Sequence, residues 1–217
     1  MENPVENFWQ VRLLELKEQL DNNNFQTFIA DSVADANTLF FEKLLPESRA
    51  ATVSYGGSMT AKASGILDQL LTMETLQVIR PDEPNISNED KLERRRQGLL
   101  VDLYISGTNA VTEDGQLVNL DMIGNRVAAI TFGPRKVVIL IGRNKIVPDL
   151  ESAMYRIKDY AAPTNTMRLD MKTPCATTAV CADCKSPFRI CNYWTITEKS
   201  FPKERIAVIL INEDLGL

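Results

Sequence analysis

Two uninterrupted apolar runs, residues 137–141 and 206–211, are the most hydrophobic parts of the chain. They are rich in Val and Ile and bounded by polar residues. Their length suits strands covered on both faces and falls far short of the roughly 18–20 residues that cross a bilayer. Around them, strand-like and helix-like periods alternate. Residues 5–21 set Phe8, Val11, Leu13, Leu14, Leu16 and Leu20 among charges, which predicts an amphipathic N-terminal helix (5–22), stopped by Asn22-Asn23-Asn24. A strand over 25–30 follows, then a helix capped by Asp31 or Ser32 and closed by Pro46. Residues 50–55 and 76–79 read as strands, separated by Gly56-Gly57-Ser58 and a helix to about Leu71. Next come a two-proline loop over 81–88, a helix over 89–99 and a strand over 101–106. Asp114-Gly115 between strand formers predicts a hairpin. A short helix over 125–132, a central strand over 136–141 and a helix over 149–161, ended near Pro163, complete the alternation.

The expected fold class is therefore α/β, layered, with a mainly parallel sheet and a β-hairpin. After residue 165 the texture changes. Residues 168–193 show little periodicity before strands return at 194–197 and 205–211. Residues 1–217 read as a single domain carrying an ordered loop inserted before its last strands.

Composition narrows the class. With 44% hydrophobic and 24% charged residues the chain is that of an ordinary globular protein, and its formal charge of −5 carries no nucleic-acid footprint. Arg94-Arg95-Arg96 follows Glu89, Asp90 and Glu93 and reads as a solvated helix face. Met1-Glu2-Asn3-Pro4 lacks the pattern of a signal peptide, so a cytoplasmic location is expected, with no membrane and no nucleic acid among the partners.

The four cysteines, Cys175, Cys181, Cys184 and Cys191, are spaced C-x5-C-x2-C-x6-C, and the chain has no histidine. In a reducing cytosol, four clustered thiols favour a shared metal over disulfides. Four thiolates suit zinc or an iron–sulfur cluster. Only Cys181 and Cys184 form a C-x2-C pair, unlike the two pairs of a zinc ribbon. The flanking spacing resembles the compact [4Fe–4S] loop of endonuclease-type DNA glycosylases, a likeness confined to the loop. Both [4Fe–4S] and a structural zinc stay open, as do redox and structural roles. Lys185 and Arg189 either offset the thiolate charge or face water.

Other candidate chemistry lies at strand ends. Gly56, Gly57, Ser58 and Thr60 join a strand to a helix, where small residues admit a ligand and hydroxyls meet an anion, although a tight turn with Ser58 as the cap fits as well. Asp121, Asn125 and Arg126 flank Gly124 after a strand and suggest a loop lining a site, although salt bridges and caps fit as well, and Asn144 and Lys145 follow another strand end. Lys145 either meets an anion or neutralises Asp149. Glu113 precedes the hairpin turn. Without histidine, acid–base work falls to Glu, Asp, Lys, Tyr or Cys.

Three stretches carry a resemblance: Gly107 to Gly115, which includes Asn109 and Glu113; Gly124 to Ala129; and Gly142 to Val147. They resemble the lactate-utilisation (LUD) domain family, in particular a subgroup of short bacterial proteins of unassigned activity. Pro174-Cys175 and Cys184 to Asn192 resemble the same subgroup. The resemblance implies a fold similar to the sugar-phosphate isomerase and CoA-transferase superfamily, whose glycine-rich turns bind phosphate, CoA or sugar. Glu113-Asp114-Gly115 is similar to the Glu-Asn-Gly motif of CoA-transferases, with Asp in place of Asn.

Two functions follow. One is an accessory or electron-transfer component of organic-acid metabolism that works with iron–sulfur or oxidoreductase partners through the cysteine loop. The other is an enzyme of the CoA-transferase or sugar-phosphate kind, binding an anionic small molecule through Ser58, Thr60 and Lys145, with Glu113 as nucleophile or base.

Overall fold

The computed structural model describes residues 3–217. In chain order the strands are β1 (Gln26–Ala30), β2 (Thr52–Tyr55), β3 (Gln77–Ile79), β4 (Leu103–Gly107), β5 (Ala110–Thr112), β6 (Leu117–Asp121), β7 (Lys136–Gly142), β8 (Ile146–Val147), β9 (Tyr193–Thr197) and β10 (Ile206–Ile211). Six of them form one sheet in the order β1-β10-β7-β4-β2-β3. Every pairing in it is parallel. The layered, mainly parallel α/β class expected from the sequence is the one adopted.

The two apolar runs occupy the centre of this sheet, and their period of two divides them between two cores. Val137, Ile139 and Ile141 join Val208 and Leu210 in one cluster with Leu13, Leu16 and Leu20 of the N-terminal helix α1 (Pro4–Asn22). Val138 and Leu140 join Ala207, Ile209 and Ile211 in the other, against Phe40, Leu44 and Ile66. Each fully buried aliphatic side chain contributes about 1.5–3 kcal/mol. A charge at Ile139, which is fully buried, would break the middle of the stack.

The hairpin does not extend this sheet. It enters a second one, ordered β8-β5-β6-β9, in which β5 and β6 are antiparallel. The strand leaving the cysteine loop, β9, pairs antiparallel with β6 and so also belongs to the second sheet. A third cluster, Ala110, Val118, Leu120 and Val147 with Ala153 and Ile157, seats helix α8 (Leu150–Arg156) on it.

Two prolines expected to end helices do not. After α2 (Val33–Leu39) comes a π-helical turn, Phe40–Leu44, then α3 (Leu45–Ser48) containing Pro46. After α8 comes the π turn Ile157–Ala161, then α9 (Ala162–Arg168) containing Pro163. Proline has no N–H to give, and its ring crowds the carbonyl four residues back. A wider turn just before it relieves both problems, and the helix runs on. The helix expected after Gly56-Gly57-Ser58, to about Leu71, is instead broken at Gly65 (φ +75°) into α4 (Met59–Ala63) and α5 (Ile66–Leu70).

Helix α6 (Asn88–Gln97) buries none of its residues, as the charged run implied; Arg94 pairs with Glu83 and Arg96 with Glu93. The remaining helices are α7 (Asn125–Thr131) and α10 (Pro174–Thr178). No helix among the described residues is long and apolar enough to cross a membrane.

Candidate functional site

The strands β2, β4 and β7 end together at Tyr55, Gly107 and Gly142 on one edge of the parallel sheet. The loops leaving that edge are where ligands settle in open α/β sheets. A pocket of about 400 Å³ opens there, lined among others by Ser58, Thr108, Asn109, Arg126, Lys145 and Arg168. Three of its lining side chains are cationic and none of the described ones is a carboxylate.

Lys145 forms its floor. It is 4% exposed. Its Nζ donates to Thr60 Oγ1 at 2.7 Å and to the Thr108 carbonyl at 3.1 Å. Thr60 in turn donates to the Leu215 carbonyl. Burial, reinforced by the charges of Arg156 and Arg126, draws the Lys145 pKa from 10.5 down to about 7. An ammonium carries three N–H bonds, and two are used here. The third is left for whatever enters the pocket.

The C-terminal segment closes the back of this floor. Asn144 Oδ1 accepts from the Leu215 amide, and Gly216 passes beside Thr60. Gly216 has φ +71°, and a Cβ there would stand 2.5 Å from Thr60 Oγ1. Only glycine fits both the conformation and the approach. At Gly107 a Cβ would lie 2.5 Å from Ser58 Oγ. That close packing sets Ser58 against the end of β4. Ser58 also caps α4, accepting from Ala61 N, which leaves its hydroxyl proton free to donate.

Arg126 lines the pocket but has no hydrogen-bonding capacity to spare. Its Nε and Nη2 meet Asp121, at 2.9 and 2.6 Å. Its Nη1 donates to the Gly107 carbonyl and Asn119 Oδ1, and its Nη2 also reaches Asn109 Oδ1. Both charged partners are buried. This network ties the end of β4 to β6 and α7, and so fixes the pocket wall. A second cleft of about 1090 Å³ adjoins the pocket through Gly57, Ser58, Met59 and Arg168. It is lined further on by Tyr55, Arg80, Asp82, Arg95 and Asn125. Burial, with the hydrogen bond to Asp82, holds the Tyr55 phenol well above its usual range.

Of the residues singled out from the sequence, Gly57, Ser58, Asn109, Arg126 and Lys145 line the pocket, with Thr60 beneath Lys145. Asp121 stands behind it as the partner of Arg126. Gly56 and Asn125 line the adjoining cleft, and Asn144 holds the C-terminal segment. Glu113 is not brought to the pocket. Its hairpin lies in the second sheet against α1, where its carboxylate pairs with Arg12 and is half exposed. Asp149, the other expected partner of Lys145, caps α8 instead. Asn165 and Arg168 line the pocket without having been anticipated, because Pro163 was read as a helix end. The apolar pattern of 150–168 carries no sign of a π turn, so only the structure reveals them.

The four cysteines are all free. They line one small pocket of about 290 Å³ with Thr166, Thr173 and Arg189. Cys175, on α10, is buried with its Sγ 3.3 Å from Thr173 Oγ1 and 3.5 Å from Thr166 Oγ1. Arg189 ties the loop by donating to the carbonyls of Cys184 and Cys191. Burial pushes the Cys191 thiol up. Among the described residues, no three acidic or thiol side chains converge closely enough to hold a metal ion. The four sulfurs nonetheless line one pocket, and thiolates are soft donors of the kind that zinc and iron–sulfur clusters take. Residues 179–192 form no helix or strand, and their end is tied to the end of β6, where Asn192 donates to the carbonyls of Asp121 and Met122.

A parallel sheet flanked by helices, with a pocket at its carboxyl edge, defines an open α/β scaffold. The chain belongs to the LUD domain family, whose model matches residues 13–211. It is similar in structure to a DUF162 family protein from Deinococcus radiodurans, with a TM-score of 0.55 and 13% identity, over 94% of this chain and 98% of that one. At that identity the likeness is one of fold alone. A ribose 5-phosphate isomerase from Plasmodium falciparum aligns over 55% of this chain and 54% of its own, at 18% identity and a TM-score of 0.31. No curated protein matches the chain.

Proposed function

We propose that this LUD-family protein binds a small organic anion of the lactate type at the carboxyl edge of its main sheet, as a component of organic-acid metabolism. One observation carries the reading: Lys145, nine-tenths and more buried, holds two N–H bonds on protein acceptors and keeps the third for the pocket. Ser58 and Arg168 supply further donors from the same lining. A charge-assisted hydrogen bond contributes about 1.5–3 kcal/mol. Lys145→Met should therefore weaken lactate binding by roughly tenfold to a hundredfold, measured by calorimetric titration. Equal affinity in the variant would refute the assignment. Glu113 has no part in this reading.

A second reading is favoured by the shared pocket of the four cysteines. Cys175, Cys181, Cys184 and Cys191 would hold a [4Fe–4S] cluster or a structural zinc ion. The centre would order the loop and, as a cluster, supply electron transfer to an iron–sulfur or oxidoreductase partner, making the protein an accessory component. Metal binding and ordering of a loop are one free-energy change. Anaerobically purified protein with iron and sulfide supports the cluster, and one zinc per chain the clamp. Metal-free protein, after reconstitution with each, would overturn both. Replacing Cys181 and Cys184 together with Ala should abolish uptake and leave the main sheet folded.

A further inference from the structure

We infer that Lys145 is a nucleophile that captures the carbonyl of a small 2-oxo acid as a Schiff base in the sheet-edge pocket. The inference rests on the anion-binding reading above and adds covalent chemistry to it. A neutral amine has two N–H bonds and one lone pair. The two acceptors beside Nζ, Thr60 Oγ1 at 2.7 Å and the Thr108 carbonyl at 3.1 Å, are enough to hold both N–H bonds. Among the described residues no hydrogen bond is donated to Nζ, and Lys145 lines the pocket. Its near-neutral pKa of about 7 means that the unprotonated amine is abundant at physiological pH, which is how buried lysines become Schiff-base formers.

The ligand class follows from what surrounds the amine. Arg168 and the Ser58 hydroxyl suit a carboxylate, and both line the same pocket as Lys145. An amine nucleophile needs a carbonyl within reach of that carboxylate. The smallest compounds with both groups adjacent are 2-oxo acids.

The step balances without an oxidant. The Nζ lone pair bonds to the carbonyl carbon, the C=O π pair moves to oxygen, and that oxygen takes a proton to give a carbinolamine. The C–O bond then breaks, the oxygen leaves as water with a second proton, and nitrogen gives up its hydrogens as C=N forms. Amine and 2-oxo acid become imine and water. Both protons on the departing water are the two hydrogens that Nζ carried as a neutral amine.

The test uses the full chain incubated with pyruvate and then with borohydride, which delivers hydride to the imine carbon. The expected result is one adduct per chain, with the mass of pyruvic acid less one oxygen atom, mapping to Lys145. Lactate, which has no carbonyl, should compete and leave no adduct. Lys145→Arg should keep a cation in the pocket and show no adduct. Labelling confined to exposed lysines such as Lys62 and Lys185, while calorimetry still shows lactate and pyruvate binding, would overturn the Schiff base and leave the anion site standing. Absence of both binding and adduct would overturn both.

Discussion

Replacing Lys145 with Met tests the electrostatics of the pocket through stability alone. The folded pKa is about 7 against an ordinary 10.5. Because the folded value is depressed, the unfolded chain holds a proton between those pH values that the folded chain has released. Unfolding free energy rises with pH wherever the unfolded state binds more protons. Stability contributed by this site is therefore lowest below about pH 7 and recovers towards pH 10, by about 1.4 kcal/mol per pH unit at full difference. Across the window the change is on the order of 3–5 kcal/mol. Met has similar length and no charge, so the variant escapes this dependence. It does leave the Thr108 carbonyl without its donor, a constant cost of about 1–3 kcal/mol. The informative quantity is thus the slope: the wild type should gain on the variant steadily from about pH 7 to pH 10. Urea unfolding of both proteins across that range measures it, and other titrating groups cancel in the difference. A difference curve that is flat, or that favours the variant more as pH rises, would refute the claim that burial depresses Lys145.

The remaining predictions concern the frame around the pocket. Asp121→Asn leaves the buried Arg126 guanidinium without its countercharge and should cost about 3–5 kcal/mol in chemical denaturation. An unchanged midpoint would contradict the role given to this pair. Gly216→Ala forces a Cβ against Thr60 Oγ1 at a positive φ. It should weaken anion binding with little loss of global stability, since the C-terminal segment lies outside the sheet. Glu113→Gln should leave lactate affinity unchanged in the same titration, and a loss of binding would return the hairpin glutamate to the site.

Much of the architecture was legible because it rests on long, one-sided signals. The runs at 137–141 and 206–211 could only be strands covered on both faces, and they form the paired centre of the sheet. The loops after strand ends were legible for the same reason, since a parallel sheet places them on one edge. Gly57, Ser58 and Lys145 thus met in one pocket although they are far apart in sequence. What failed depended on single local choices. Pro46 and Pro163 were read as stops because the π turns that accommodate them leave no mark on apolar periodicity. That error hid Asn165 and Arg168. The hairpin was identified correctly but not its sheet, so the placement of Glu113 could not be foreseen. For Arg126 the sequence left a site-lining role and a salt bridge both open; it lines the pocket while Asp121, Asn109 and Asn119 take its donors. Local sequence gives the presence of a charge and not the partners that tertiary structure brings to it.

The most direct test of the account is calorimetric titration of lactate into the wild type and Lys145→Met at about pH 6 and about pH 9, either side of the Lys145 transition. The wild type should bind at one site per chain, more tightly at the lower pH where the ammonium is present, and binding should be strongly weakened in the variant at that pH. Binding of equal strength in both proteins, or binding that tightens as the lysine loses its proton, would contradict that expectation.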